Sequence, residues 1–277
     1  MRATLRAAPR PAEAVAMWLI VVGVCAAVAI LMAWPVPEAL CKAAWPRLKP
    51  RAAIVVWQIV GLVGGLSAVG TLLVLGFAPL AGDWTAVNLV ALVLAALLFS
   101  WLTGVLATSA IRIERDLRRQ RTVVDLLGRA EADGVRVLEH PEPMAYCLPG
   151  PQPRIVITDG VVAALPPEEL AAVLAHERAH AEGRHEFVIQ PFVAWQSALP
   201  FLAPARRATA AVAELVEMLA DDAAAAATSR LTVARALARV GAGRPPGVRS
   251  TSDGADPSLV GAGTAPTSVI ARVRRLT

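Results

Sequence analysis

The sequence predicts a mainly α-helical membrane protein: about three transmembrane helices, then a cytoplasmic α+β domain with a small sheet. Three observations carry this. Of the 277 residues, 56% are hydrophobic and the mean hydropathy is +0.55, above the usual apolar share of soluble domains. The excess is concentrated in the first 111 residues, where three long stretches contain no charged residue. The remainder is charged and alternates short strand-like runs with helical spacing.

The uncharged stretches are 14–37, 52–82 and 84–111. Each supplies the roughly 20 apolar residues that a bilayer crossing needs. Spans are expected at about 15–34, 54–79 and 86–110, which makes 1–111 a membrane region. Three such runs so close together speak against buried helices of a large soluble protein. Trp18, Trp34, Trp57, Trp84 and Trp101 lie at or near span ends, as interfacial aromatics do. Gly61 and Gly65 form a GxxxG pair, by itself a weak sign of close helix packing.

Charge sets the orientation. The connection 38–51 carries Lys42, Arg47, Lys49 and Arg51, whereas the next connection carries only Asp83. After the third span come Arg112, Arg115, Arg118, Arg119 and Arg121. The positive-inside rule puts the first connection and everything after residue 111 inside, and the N-terminus outside. Arg2, Arg6 and Arg10 disagree. Either the later loops outweigh them, or translation starts at Met17, which we prefer. The first apolar run is long and lacks a small-residue cleavage site, so it does not read as a cleaved signal peptide.

The net charge is +5, and Lys42 and Lys49 are the only lysines. The arginines flank apolar segments without interleaved aromatics, which argues against direct nucleic-acid binding. Cys25, Cys41 and Cys147 are odd in number and scattered, and read as free thiols.

The soluble domain is expected over 112–240. Residues 112–131 have helical spacing of Ile113, Leu117, Val124 and Leu127. Residues 135–138 and 154–158 read as strands, with Asp159-Gly160 as a turn. A helix follows, with Pro166 and Pro167 at its start, Glu168 and Glu169 in its first turn, and Gly183 at its stop.

That helix contains "AVLAHERAHAEGRH", which holds three of the four histidines. His176 and His180 stand at i and i+4, on one face, the spacing by which two imidazoles bind one zinc. Glu177 beside them suits a general base that takes a proton from a metal-bound water and passes it to a leaving amine. Alone, the five-residue pattern also describes a polar helix patch. A third ligand strengthens it, and "AELVEMLADDAAAAA" offers one. Glu217 and Asp221 share a helix face: Glu217 completes a His-His-Glu set, and Asp221 is placed to orient a ligand imidazole. Glu214 and Asp222 are the alternatives on neighbouring faces, and a solvated acidic face is the plain reading.

"HERAH" followed by "EMLAD" resembles the gluzincin metallopeptidases. Within them the chain resembles the integral-membrane antirepressor family, which includes beta-lactam signal transducers. "AYCLPGPQPRIVITDGVVAALPPEELAAVLAHERAH" looks like its small actinobacterial members, which lack the penicillin-binding sensor domain. The CAAX-processing and heat-shock membrane proteases are more distant relatives. The resemblance implies His176, His180 and Glu217 as ligands of one Zn2+, Glu177 as general base and Asp221 as the partner of a ligand histidine. It also implies a gluzincin-like cytoplasmic domain and, by analogy, a winged-helix repressor as substrate.

The apolar stretch 187–204 lies between the two ligand helices. One complete crossing would put Glu217 across the membrane from His176, and ligands must meet within about 2 Å of one ion. A re-entrant or interfacial segment is therefore expected, with a buried core helix as the alternative. Strand 154–158 either presents an edge to an extended peptide or only completes a sheet. Tyr146 and His185 are weak candidates for oxyanion stabilisers, and His140 reads as a loop residue. Residues 241–277 read as a flexible tail closed by a short basic helix that docks on the domain or on anionic lipid.

The expected function is a multi-pass zinc endopeptidase of the plasma membrane, acting at the cytoplasmic face on a repressor or on itself. A quality-control or processing protease is the alternative enzyme. A non-catalytic metal- or partner-binding sensor is the alternative of another class. Nothing in the residues sets an oligomeric state.

Overall fold

The computed structural model describes residues 11–78, 84–242 and 266–277. Arg2, Arg6, Arg10, Asp83 and most of the expected flexible tail lie outside the described residues.

The chain is mostly helical. The membrane region comprises α1 (Pro11–Ala33), the short α2 (Pro35–Lys42) and α3 (Trp45–Leu48), then α4 (Pro50–Phe77) and the start of α5 (Ala86–Leu127). Three stretches, Val15–Lys42, Pro50–Phe77 and Ala86–Leu127, are long and apolar enough to cross a membrane. Asn88 joins the far ends of α4 and α5. It caps α5 together with Thr85, and its Nδ2 donates to the carbonyls of Leu75, Gly76 and Ala78 at 3.2, 3.1 and 2.7 Å. Gly76 is needed there, since a Cβ would lie 2.5 Å from Leu92. The Gly61–Gly65 pair does not seat a single partner helix. Gly61 faces Trp195, a Cβ at Gly64 would lie 3.0 Å from Met32 of α1, and one at Gly65 would meet nothing within 4 Å among the described residues.

α5 has 42 residues, about 63 Å at 1.5 Å per residue, and leaves the membrane region without a break. Its last turns floor a four-stranded sheet of β1 (Arg129–Ala130), β2 (Val135–Leu138), β3 (Ala145–Leu148) and β4 (Arg154–Thr158), in the order β1-β2-β4-β3. β2 and β4 run parallel, and the other pairs are antiparallel. On one face Leu148 and Val156 pack on Val124 and Leu117 of α5. On the other, Val135, Val137, Ile155 and Ile157 meet α6 (Asp159–Ala164), α7 (Pro167–Gly183) and α10 (Arg230–Ala242).

Three local expectations are corrected. β4 is internal, so its edge is not free to receive a peptide; the free edge beside α7 belongs to β3. Asp159-Gly160 opens α6 instead of a turn, because the Thr158 hydroxyl caps the helix by accepting from the Val161 amide at 3.3 Å. α7 keeps Gly183, and the left-handed residue is Arg184, with φ 45°.

Segment 187–204 becomes most of α8 (His185–Ala198) and the turn into α9 (Ala203–Ala227). α8 lies against the first turns of α4: Gln58 Nε2 donates to the Val188 carbonyl at 2.8 Å, and Phe192 meets Trp57 edge-on at 6.3 Å. Trp57 is thus 1% exposed and not interfacial, because the domain covers it. Phe187 and Phe201 at the ends of the segment stay 61% and 77% exposed. The chain then returns, and α9 packs beside α7.

The domain also grips the first connection. Arg207 of α9 bonds Glu38 of α2 at 2.7 Å, and Arg47 of α3 lies 3.3 Å from Glu214. Together with the α8–α4 packing, this puts the domain and connection 38–51 on one side of the membrane region. Finally, α11 (Pro266–Leu276) docks through Val273 and Leu276 onto Ala172, Ala224, Val233 and Ala234 of α7, α9 and α10.

Candidate metal centre

Helical periodicity puts His176 and His180 on the same face of α7, and Glu217 and Asp221 on the facing side of α9. The two Nε2 atoms are 3.1 Å apart. Glu217 Oε2 lies 3.5 Å from His176 Nε2, and its Oε1 lies 3.5 Å from His180 Nε2. One ligand atom from each of the three lies within 4.8 Å of the others. Zinc bonds of about 2.0–2.1 Å in tetrahedral geometry give ligand–ligand edges of about 3.3–3.4 Å. The donor set therefore fits one zinc ion, with a single carboxylate and two imidazoles.

Asp221, 1% exposed, places Oδ1 3.1 Å from His176 Nδ1. That nitrogen is buried without a well-aligned hydrogen bond, so the contact is one of charge and distance. Asp221 is instead gripped by Arg272 of α11, whose Nε and Nη2 donate to Oδ2 and Oδ1 at 2.7 and 2.6 Å. Its Nη1 lies 2.8 Å from Glu217 Oε2. Arg272 is itself 5% exposed, so one buried guanidinium clamps both Glu217 and Asp221 of α9.

Electrostatics separates the two glutamates of the site. Burial pushes the Glu217 carboxyl up, but His176 and Arg272 outweigh it and hold the group well below the usual carboxylate range. Burial pushes Glu177 up to about 7, against the pull of His176 and with the help of the Glu217 charge. Glu217 is thus a permanent anion, while Glu177 can hold or release a proton near neutrality. Asp221 is held down by Arg272 despite its burial. Burial disfavours the His176 imidazolium, yet Asp221 and Glu217 raise its pKa to about 10. His180 is driven down to about 3 by burial and by the His176 charge.

The remaining candidates separate. His185 is 8% exposed and sets its Nδ1 3.0 Å from His180 Nδ1, on the far side of that ring from the donor cluster. The left-handed Arg184 turns it there, and Gly183 is required because a Cβ would collide with the His185 ring. Tyr146 is not brought to the cluster. Strand alternation sends it to the α5 face of the sheet, where it packs against Leu148 and Val156. Glu214 turns to Arg47, and Asp222 is bound by Arg275 at 2.7 and 2.8 Å, so neither reaches the centre. His140 lies in a loop, accepting from the Glu142 amide at 3.2 Å. Arg272 escaped sequence reasoning. Its one signal is an arginine at helical spacing with Val269 and Leu276 on the apolar face of a short basic helix.

Residues 112–239 match the family model of Peptidase family M48. No curated protein and no solved structure matches the chain. The family match supports a metallopeptidase, and the three apolar helices make it a membrane-associated one. Arg272 stands outside the matched stretch.

Proposed function

We propose, from a membrane-associated metallopeptidase as premise, that this chain is a zinc endopeptidase of the integral-membrane antirepressor type, with His176, His180 and Glu217 as the ligands. The carrying observation is the convergence of both Nε2 atoms and the Glu217 carboxylate at spacings of 3.1–3.5 Å. A bound zinc would supply Lewis acidity to a peptide carbonyl and acidify water. Glu177 takes a proton onto its carboxylate and returns it to the leaving amine, a task that suits a group titrating near 7. Arg272 keeps Glu217 ionised, and the Asp221 carboxylate beside Nδ1 favours one orientation of the His176 ring. The free edge of β3, next to Glu177 through Cys147, suits an extended peptide added as a fifth strand.

The centre faces the cytoplasm in this reading. Its support is the grip of α9 on connection 38–51, which carries Lys42, Arg47, Lys49 and Arg51. The exposed Phe187 and Phe201 suit anchors at the inner surface of the plasma membrane. The substrate is a soluble regulatory protein, a winged-helix repressor, or the chain itself.

The deciding test is Glu177→Gln in the purified full chain. The variant is expected to retain one zinc per chain and to lose cleavage of itself and of casein by 10²–10⁴-fold, the usual share of a general base. Equal activity of both forms refutes the enzyme. The same variant, used as a trap in cells, identifies the substrate by what co-purifies.

A further inference from the structure

A cavity of about 490 Å³ opens beside the membrane region, away from the metal centre. It is lined by Arg47 and Leu48 of α3, Met218 of α9, Arg230 at the start of α10, and Arg274 and Arg275 of α11. Among the described residues, four arginines and no carboxylate line it. Arg275 is engaged by Asp222, and Arg47 lies 3.3 Å from Glu214. Among the described residues, Arg230 and Arg274 have no carboxylate within ion-pair distance, and both are exposed. The lining includes an apolar side chain, Leu48, which is 77% exposed just before Pro50 opens the long apolar run of α4.

We propose that this cavity binds the phosphate of an anionic phospholipid headgroup. Guanidinium groups offer paired donors that match phosphate oxygens. Basic pockets beside membrane helices are where such headgroups lodge. Inorganic phosphate shares the chemistry, but the exposed Leu48 in the lining, beside the start of the apolar α4, matches acyl chains and interface, which a free ion lacks. The proposal rests on the membrane reading of the chain and not on the proteolytic one.

The site also bears on the metal centre. Arg274 stands two residues after Arg272 on α11, the helix that clamps Glu217 and Asp221. A headgroup bridging Arg230 of α10 to Arg274 ties α11 to the domain and keeps the clamp closed. The docked face of α11 already holds it to the domain, and a headgroup in this cavity adds a second tie.

The test uses the full chain in phosphatidylcholine nanodiscs with and without phosphatidylglycerol. Native mass spectrometry reads the lipid retained by wild type, by Arg230→Gln, by Arg274→Gln and by both together. Wild type is expected to retain phosphatidylglycerol over phosphatidylcholine. Each single change should weaken retention about fivefold and the pair about thirtyfold, the loss expected for surface arginines facing an anionic headgroup. The two residues are exposed and on different helices, so a fault in folding would not produce matched single effects. Equal retention in all four forms overturns the site. A second arm follows zinc loss to a chelator, which phosphatidylglycerol should slow in wild type but not in the double variant. Inorganic phosphate slowing it equally well would overturn the lipid assignment. The lipid-retention readout needs neither bound zinc nor peptidase activity, so failure there and failure of the proteolytic reading are distinguishable.

Discussion

Replacing Arg272 by Met tests whether the centre depends on a clamp brought from the other end of the domain. The guanidinium is 5% exposed and neutralises Asp221, 1% exposed, through two bonds of 2.6 and 2.7 Å, with a third contact of 2.8 Å to Glu217. Methionine fills similar volume but takes the guanidinium from Asp221 and Glu217, leaving the His176 imidazolium to face both carboxylates in metal-free protein. Removing one partner of a buried pair costs about 3–5 kcal/mol, roughly 6–20 °C in melting temperature for a domain of this size. Bound zinc compensates Glu217 but not Asp221, so the loss should shrink with zinc yet persist. Arg272→Lys keeps the charge without the fork and should recover about half. In the Asp221→Leu/Arg272→Met double variant both charges of the pair are gone, and the deficit should be well below the sum of the singles. Thermal unfolding with and without zinc, with zinc affinity from chelator competition, reads wild type, Arg272→Met, Arg272→Lys, Asp221→Leu and the double variant. A drop of less than about 2 °C for Arg272→Met in metal-free protein would refute the reasoning.

Glu217→Ala should reduce zinc affinity by orders of magnitude, while Glu214→Ala should leave it unchanged, as measured by chelator competition. In metal-free protein the His176 pKa is raised to about 10 from an ordinary 6.5. The stabilisation from charged His176 is therefore present below about 6.5 and is lost as pH rises through about 10. The melting temperature of the metal-free form should fall across that window, and zinc, which takes the neutral ring, should flatten the slope. Cys41, exposed on α2, should react with a membrane-impermeant maleimide only after intact cells are opened. Labelling from outside would reverse the proposed orientation.

What could be read directly from the sequence follows periodicity. His176 with His180, and Glu217 with Asp221, are each one helical turn apart, so a local rule puts each pair on a face. The three apolar runs are legible because bilayer thickness sets a length. Other features needed the tertiary structure. Arg272 reaches Asp221 across 51 positions, and nothing local marks it. β3 is hidden among prolines at 141, 143, 149, 151 and 153, which read as loop. The place of Tyr146 is not legible locally, because register alone decides which face of the sheet it takes. Trp57 read as an interfacial anchor because only the docked domain, through Phe192, takes it out of the lipid.

The unbroken α5 has a mechanical consequence. About 63 Å of single helix begins at the Asn88 latch and ends under Val156 and Leu148, with no hinge between. Leu148 belongs to β3, whose neighbour Cys147 touches the environment of Glu177. A helix that tilts to suit a thinner or thicker bilayer must carry the sheet with it as a lever carries its load. Membrane thickness then becomes a variable that the outer strand of the sheet feels directly.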